Sequence, residues 1–244
     1  MPAKLTVLVS GAANGLGAAF VEAYRRQSDV EVVAIDRAPI RSTFGNVDSF
    51  VVDVSSQTSI ENFVQNIKDR PVDLVVHSAG IRGLVPAEEK SHPDDVPACE
   101  NLSVMDTDTL ARAFQINATG TFLFLRALLP NLRQASEPRV VVMSSRMGSI
   151  SNNQLPNKDA GSAYAYRASK AAMNTIVRSF AVDVQDVTFV LCHPGRVETN
   201  LVKCKEEGAI TVEESLATVL PLIERWDKHD SGRFYDRFGE IIPW

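Results

Sequence analysis

The sequence predicts an α/β fold in which helices cover both faces of a parallel sheet. Short runs rich in β-branched residues alternate along the 244-residue chain with segments of helical length. These runs are almost continuously apolar, as expected for strands buried on both faces. The first run leads directly into a glycine-rich turn that opens a helix. Together these observations predict a doubly wound sheet.

Six segments are predicted as strands: LTVLVS (5–10), VEVVAID (30–36), SFVVDV (49–54), VDLVVHSAG (72–80), RVVVMSS (139–145) and VTFVLCHPG (187–195). Five helices are predicted between and after them, over 15–28, 56–69, 107–133, 162–182 and 211–225. Thr211 and Glu214 form a possible capping box at the start of the last helix. No repeat or low-complexity linker divides the chain, so we expect a single domain over 1–244.

The composition excludes several classes of function. A net charge of −5, with Lys and Arg scattered along the chain, provides no basic surface for nucleic acid or for an anionic membrane. Three cysteines form no metal-like spacing with the four histidines, so no metal site is expected. Unpaired cysteines suit a reducing compartment, and no secretory leader or transmembrane run is apparent. We therefore expect a cytoplasmic protein.

The glycine-rich turn SGAANGLG has the strand–turn–helix context of a dinucleotide-binding loop. Gly11 permits the tight turn, Gly15 lets a pyrophosphate approach the backbone, and Gly17 allows the helix to pack on the strand. Phosphates at this position would meet free N–H groups at a helix N-terminus. Asn14 adds no cation to the loop, which favours a cofactor without an extra phosphate.

Acidic residues at two predicted strand ends bear on the choice of cofactor. Asp36 lies 19 residues after Gly17, where a carboxylate binds the adenosine ribose hydroxyls and repels a 2′-phosphate. We therefore favour NAD, with NADP as the alternative if Asp36 turns away and Arg37 binds the 2′-phosphate. Asp53 either accepts a hydrogen bond from the adenine amino group or is a cap or turn residue before the next helix.

The segment YAYRASKAAMN contains a candidate for acid–base catalysis. Tyr166 and Lys170 are four residues apart and share one helix face, whereas Tyr164 faces away from the lysine. A neighbouring ammonium lowers the pKa of a phenol, so Tyr166 could exchange a proton with a substrate near neutral pH. The pair SS (144–145), at a predicted strand end, could supply a hydroxyl that holds the substrate oxygen.

Motifs spread over the whole chain resemble those of the short-chain dehydrogenase/reductase family. They are SGAANGLG (10–17), Asp36, DV (53–54), SAG (78–80), Asn117, SS (144–145), YRASK (166–170) and PGRVET (194–199). Their order and spacing are far more specific than any one motif. The resemblance implies a Rossmann-like sheet of about seven strands. It also implies an oxidoreductase that interconverts a carbonyl and a secondary alcohol by hydride transfer with a nicotinamide cofactor.

The resemblance assigns a role to each matching residue. Ser145 would polarise the substrate oxygen, and Tyr166 would be the general acid/base. Lys170 would lower the pKa of that phenol and contact the nicotinamide ribose. Asn117 would hold a water in the proton relay, unless it is only a polar residue that bends its helix. The residues implied at the cofactor are Gly11, Asn14, Gly15, Leu16, Gly17, Asp36, Arg37, Asp53, Val54, Ala79, Gly80, Tyr166, Lys170, Pro194, Gly195, Val197 and Thr199.

The chain looks like the C-factor-like branch of this family, with two departures. His77 stands where the family usually has Asn, and we expect it to tie neighbouring strands together in the same way. The segment 152–163 lengthens the link between the serine and the tyrosine, and we expect it to shape the substrate pocket. Branch members usually favour NADPH, but the carboxylate of Asp36 outweighs that tendency and keeps NAD as our expectation.

The substrate is not identified by the sequence beyond a small carbonyl or alcohol compound. The proline-containing acidic segment 82–104 is either a solvated loop or a flap beside the site. Six pocket-wall candidates favour an uncharged, moderately apolar substrate: Leu84, Val85, Met147, Leu155, Leu201 and Val202. The family resemblance allows a homodimer or homotetramer through the helices within 107–133 and 162–182. A dinucleotide-sensing protein without catalysis is the alternative function.

Overall fold

The computed structural model describes residues 4–40, 44–157 and 160–244, and its strands all belong to one parallel sheet. The strands are β1 (Leu5–Ser10), β2 (Val30–Asp36), β3 (Val47–Val51), β4 (Leu74–His77), β5 (Arg139–Met143), β6 (Thr188–His193) and β7 (Phe234–Asp236). Their order is β3-β2-β1-β4-β5-β6-β7, and every neighbouring pair is parallel. The chain reverses its direction of winding between β1 and β4, which is where such sheets bind ligands.

Helices cover both faces of this sheet. They are α1 (Gly15–Arg25), α2 (Gln57–Asn66), α3 (Pro86–Ser91), α4 (Thr107–Phe114), α5 (Thr121–Leu132), α6 (Tyr164–Asp183) and α7 (Val212–Arg225). The Thr211 hydroxyl accepts from the Glu214 backbone N–H, and the Glu214 carboxylate accepts in return, so the predicted capping box is confirmed. Among the described residues, none of the helices has both the length and the apolar character required to cross a membrane.

The core lies in two layers because successive strand residues point to opposite faces. Leu8 and Val75 face the layer formed by α2, α5 and α6, where Phe124 is fully buried. Val9 and Val76 face the opposite layer, against α1 and α7. Near-continuous apolar strands therefore reflect burial on both faces, and the predicted fold class is confirmed.

Several local predictions differ from the structure. Several predicted strands end earlier, so Ser144 and Ser145 follow β5 instead of closing it. The segment 82–104 contains the short helix α3 as well as irregular chain. Strand β7 was not located by the sequence pattern, because its three residues are too few to show periodicity.

The predicted helix over 107–133 is confirmed over almost its whole length, but it contains a π-helical turn at Gln115–Gly120, between α4 and α5. Two close contacts are made along this turn. A Cβ on Gly120 would lie 2.8 Å from the Val54 carbonyl oxygen, so the helix approaches the end of the sheet closely here. The Asn117 side chain is bonded to the backbone of Ile81 instead of facing solvent. The π-helical turn therefore carries Asn117 at the carboxyl edge of the sheet.

His77 ties β4 to its neighbours, as predicted. Its Nδ1 lies 2.8 Å from the Ser10 Oγ on β1, and its Nε2 lies 2.9 Å from the Thr121 Oγ1 on α5. The Thr121 hydroxyl donates to the Asn117 carbonyl, so it accepts from His77 and fixes the Nε2–H tautomer. Complete burial, with a smaller influence from Lys170, lowers the pKa of His77 to about 3, so the ring stays neutral.

We predict that His77→Asn weakens the dependence of stability on pH. Unfolded histidine titrates near pH 6.5, so native His77 binds fewer protons and its stabilising contribution is lost as the pH falls from about 6.5 towards 3. Removing this group should reduce the slope of the unfolding free energy by up to about 1.4 kcal/mol per pH unit below pH 6.5. Urea unfolding at several pH values measures the slope, and equal slopes in both proteins would contradict the assignment.

Candidate functional site

A cleft of about 640 Å³ lies along the carboxyl edge of the sheet. Its walls come from the turn after β1, the ends of β2, β4, β5 and β6, and the first turns of α6. Every residue predicted at the cofactor lines it except Gly17: Gly11, Asn14, Gly15, Leu16, Asp36, Arg37, Asp53, Val54, Ala79, Gly80, Tyr166, Lys170, Pro194, Gly195, Val197 and Thr199. Segments far apart in sequence therefore meet in one elongated site.

The glycines of the first turn make room for close backbone approaches. Gly11 has a φ of +70°, and a Cβ there would lie 2.8 Å from the Ala79 backbone nitrogen. Gly17 lies behind the cleft, where a Cβ would meet the Gly11 carbonyl oxygen at 2.0 Å. The cleft thus opens onto the N–H groups that begin α1, a surface suited to phosphate. The glycine turn fits the pyrophosphate of a dinucleotide.

Asp36 and Asp53 line the same cleft beside the glycine turn. The Asp36 carboxylate accepts from the backbone N–H groups of Ala13 at 3.0 Å and Ala38 at 2.9 Å. Arg37 is exposed and also lines the cleft. Asp53 accepts from the hydroxyl and backbone N–H of Ser55, and this hydroxyl lowers the pKa of the Asp53 carboxyl. Asp53 therefore stabilises a turn while it also lines the cleft, and its hydrogen bond to an adenine amino group stays a prediction.

The cap of α2 is Ser56, whose hydroxyl accepts from the Ser59 backbone N–H, so the capping alternative for Asp53 is wrong.

Ser145, Tyr166 and Lys170 line the opposite end of the cleft. Ser145 comes two residues after β5 and begins a 3₁₀ turn, with its Oγ accepting from the Met147 backbone N–H at 3.2 Å. Tyr166 is buried in the first turn of α6. Lys170, one turn further on, donates from its Nζ to the Met143 carbonyl at 2.9 Å. The three predicted catalytic groups thus share one site.

Asn117 lies directly behind these groups instead of lining the cleft. Its Oδ1 accepts from the Ile81 N–H at 2.9 Å, and its Nδ2 donates to the Ile81 carbonyl at 2.9 Å. The same Nδ2 donates to the Ser169 Oγ at 3.0 Å, and Ser169 in turn donates to the Tyr166 carbonyl. The side chain therefore braces α6 against the chain after β4. Its role in holding a water stays a prediction.

The pKa of Tyr166 is shifted in the direction opposite to the one expected from Lys170. Burial raises the pKa of the Tyr166 phenol above its ordinary value, and the main opposing influences are the Arg82 guanidinium and the Ser145 hydroxyl. Glu206 and Glu100 add to the rise. Burial also lowers the pKa of Lys170 to about 8, because desolvation disfavours its charged form. Of these two cations Arg82 lies closer to the ring of Tyr166, with its guanidinium carbon 4.9 Å from the ring centroid, compared with 5.8 Å for the Lys170 Nζ.

Arg82 and Glu100 are site residues that sequence reasoning missed. The Arg82 guanidinium donates to both carboxylate oxygens of Glu100 at 2.7 Å, and both side chains are buried. It lies 4.9 Å from the centroid of the Tyr166 ring. Both residues belong to the segment 82–104, so the flap interpretation of that segment is closer to the structure than the solvated-loop one. Nothing in the local sequence indicates that this pair forms.

A second cavity of about 830 Å³ adjoins the first and shares Ser145 and Tyr166 with it. The inserted segment supplies Asn152 and Gln154 to its wall, as expected. Four pocket-wall candidates line it, namely Met147, Leu155, Leu201 and Val202, but Leu84 and Val85 do not. Arginine, glutamate and aspartate side chains are also present. The expectation of a mainly apolar wall is therefore only partly met.

Two further side chains around the site contrast in burial. His193 lines both cavities, and burial, with smaller effects from nearby arginines, lowers its pKa to about 3. Its Nδ1 is buried without a hydrogen-bond partner among the described residues. Tyr164 is 40% exposed and is absent from the described lining of both cavities. The Tyr164 side chain therefore lies outside both cavities as described.

Comparison with known proteins gives a consistent result. A family model described as short chain dehydrogenase matches residues 5–209. The C-signal protein of Myxococcus xanthus is 36% identical over 184 residues, covering 75% of this chain and 98% of that protein. The 1-hydroxy-2-glutathionyl-2-methyl-3-butene dehydrogenase of Rhodococcus sp. is 29% identical over 246 residues, covering 98% and 99% of the two chains.

Two solved structures share the fold. An NADPH-bound carbonyl reductase from chicken fatty liver superposes with a TM-score of 0.81 at 23% identity, over 99% of this chain and 100% of that one. The carbonyl reductase Sniffer of D. melanogaster gives a TM-score of 0.79 at 21% identity, with the same coverage.

We predict that Gly17→Ala destabilises the protein by about 3 kcal/mol, because its Cβ would meet the Gly11 carbonyl and force the turn apart. Gly45→Ala is the matched control, since a Cβ there would have no neighbour within 4 Å. Its effect on the unfolding free energy should be within about 0.5 kcal/mol. Urea unfolding of both variants tests the prediction, and equal stabilities would contradict it.

Proposed function

The chain belongs to the short-chain dehydrogenase family of nicotinamide-dependent oxidoreductases, and we propose that it interconverts a carbonyl and a secondary alcohol with NAD as its preferred cofactor. The observation that carries this proposal is the meeting of Ser145, Tyr166 and Lys170 at one end of a cleft. The other end carries the glycine turn and Asp36. A sensing protein without catalysis has no need of such a buried phenol and lysine beside its cofactor, so the sensing alternative is disfavoured.

Tyr166 transfers the proton in the proposed reaction. When bound, the nicotinamide group supplies or accepts the hydride. In the reducing direction the Tyr166 hydroxyl donates its proton to the substrate oxygen, while the Ser145 hydroxyl holds that oxygen by a second hydrogen bond. In the oxidising direction the phenolate takes the proton back. A raised phenol pKa keeps Tyr166 protonated at neutral pH, which suits the reducing direction.

Lys170 and Asn117 support this proton transfer. Lys170 is fixed by its bond to the Met143 carbonyl, so its ammonium is held beside the cofactor cleft. Its pKa of about 8 means that the ammonium is lost in mildly alkaline solution. Asn117 holds the chain after β4 and the first turns of α6 at a fixed separation. We propose that these two residues position the phenol and the ribose of the cofactor.

The preference for NAD rests on Asp36. Its carboxylate lies at the end of the cleft and would meet a 2′-phosphate with a like charge. The structure of the chicken carbonyl reductase contains NADPH. In this chain Arg37 could supply a cation that binds the 2′-phosphate of such a cofactor. We favour NAD because the Asp36 carboxylate is held in place by two backbone N–H groups, whereas Arg37 is exposed.

The second cavity and the cysteines bear on the substrate and the cellular location. Charged, amide and apolar groups all line the second cavity, so we propose a substrate that carries a polar substituent beside its carbonyl or alcohol carbon. The three cysteines are free, which supports a location in the cytoplasm. A homodimer or homotetramer stays a prediction, to be tested by sedimentation.

We predict that Tyr166→Phe lowers turnover by at least about 100-fold, because the substrate oxygen loses its proton donor. Cofactor affinity should change little. Tyr164→Phe is the matched control, because that hydroxyl lies outside both cavities as described, and it should keep full activity. Nicotinamide absorbance with a panel of ketones and alcohols measures turnover. Unchanged activity in Tyr166→Phe would overturn the assignment.

We predict that Asp36→Ala raises kcat/KM with NADP relative to NAD by about 10-fold or more, since a like charge beside the 2′-phosphate is removed. Arg37→Ala tests the alternative in parallel. If Arg37 binds a 2′-phosphate, wild type will prefer NADP and the arginine variant will lose that preference. Steady-state kinetics with both cofactors separate the two arrangements.

A further inference from the structure

The segment 82–104 is folded tightly against the first turn of α6. The Val85 N–H donates to the Cys99 carbonyl at 3.0 Å, which closes the segment on itself. The Glu100 carbonyl accepts from the Ala163 N–H at 3.1 Å and from the Ser162 hydroxyl at 3.3 Å, directly before α6 begins. The segment therefore supports the helix that carries Tyr166 through the same residue, Glu100, that binds Arg82.

The Arg82–Glu100 pair has a fixed geometry. Its two parallel hydrogen bonds, both 2.7 Å long, join Nε to Oε2 and Nη2 to Oε1. Nη1 lies 3.3 Å from the Met147 sulfur, so the guanidinium is held on its third side as well. Burial works to lower the pKa of Arg82, but the bonds and the charge of Glu100 raise it. The guanidinium therefore stays charged while buried beside the site.

This guanidinium faces the ring of Tyr166. Its central carbon lies 4.9 Å from the ring centroid, closer than the Lys170 Nζ at 5.8 Å. Cation and ring are both buried, so little water screens them from one another. A positive charge at this distance favours the phenolate form over the phenol.

We propose that Arg82, held by Glu100, is a positioning residue that fixes the Tyr166 ring and favours its deprotonated form. This deepens the proposed function, on which its catalytic meaning rests. The family resemblance gives the same electrostatic role to Lys170. In this chain the lysine binds a strand carbonyl, and the buried arginine from the segment 82–104 faces the ring instead.

Other charges around the phenol determine whether each substitution raises or lowers the pKa of Tyr166. Glu100 and Glu206 oppose Arg82, with Glu206 the larger of the two influences. Glu206 lies on the chain before α7, 4.0 Å from the Arg82 Nη2. Other titratable side chains line a cavity together with Tyr166. They include Lys170 on α6, His193 at the end of β6, Arg146 after β5, and Arg167. The experiment substitutes Arg82, Glu100 and Glu206 and leaves these other groups unchanged.

The test is the alkaline titration of Tyr166 followed by phenolate absorbance. The chain has four tyrosines, so each protein is compared with the same protein carrying Tyr166→Phe, and the difference isolates one phenol. The measurement requires neither cofactor nor substrate. It therefore answers the question even if the protein turns over no ketone, and a failure of the proposed function is seen separately in the activity assay.

Two variants isolate the guanidinium. Glu100→Gln keeps the cation and removes an opposing carboxylate, so the pKa of Tyr166 should fall. Adding Arg82→Met to that variant removes the cation without leaving a buried carboxylate unpaired, a change that buried ion pairs tolerate best. The double variant should titrate about one pH unit higher than Glu100→Gln. Arg133→Gln, which removes an exposed guanidinium paired with Asp186, is the matched control and should change nothing.

Two results would overturn the proposal. If the double variant titrates at the same pH as Glu100→Gln, or lower, Arg82 does not act on the phenol and the proposal is overturned. Should the variants at Arg82 and Glu100 fail to fold, Glu206→Gln changes a side chain that is 24% exposed. Removing its negative charge, which lies 4.0 Å from the Arg82 Nη2, leaves the guanidinium less neutralised, so the pKa of Tyr166 must fall. An unchanged pKa would show that charges at the guanidinium do not act on the phenol, and it would overturn the proposal.

Discussion

A continuous chain of buried hydrogen bonds joins the first strand of the sheet to the helix that carries Tyr166. It runs from the Ser10 hydroxyl to His77, then to Thr121 and the Asn117 backbone. The Asn117 side chain continues it to Ser169, which donates to the Tyr166 carbonyl. Each polar group in the chain is buried, so leaving any partner unpaired would cost about 1–3 kcal/mol. The position of the phenol relative to the glycine turn depends on this series of hydrogen bonds.

The chain of hydrogen bonds also explains why His77 is compatible with a position usually held by Asn. Both of its ring nitrogens are used, one accepting and one donating, and burial keeps the ring neutral. A neutral imidazole here links β1, β4 and α5 without placing a charge near Lys170. The segment 82–104 then adds a second support from the opposite side, through Glu100 and the start of α6.

Much of this architecture follows from local sequence pattern, and the rest depends on tertiary contacts. Six strands and the glycine turn were predictable because apolar runs and glycines act through their own segments. Strand β7 has three residues and forms only because β6 offers a free edge. The π-helical turn depends on the approach of Gly120 to Val54, which no local pattern reports. The contacts that form the site's charge environment are likewise nonlocal.

The pairing of Arg82 with Glu100 could not be predicted from the sequence pattern. The two residues are 18 positions apart in an irregular segment, so no helical or strand periodicity places them together. The spacing of Tyr166 and Lys170 correctly predicted a shared helix face. It could not predict that the lysine would turn to the Met143 carbonyl or that burial would raise the pKa of the phenol.

The most direct measurement is the transfer of deuterium from reduced cofactor to product. The protein would be incubated with NADH deuterated at the transferable position and with a panel of ketones, and the alcohols formed would be analysed by mass spectrometry. We predict an alcohol that carries deuterium on its carbinol carbon, formed at least about 100-fold more slowly by the Tyr166→Phe protein. Firm binding of the cofactor with no deuterated alcohol from any ketone would contradict this prediction.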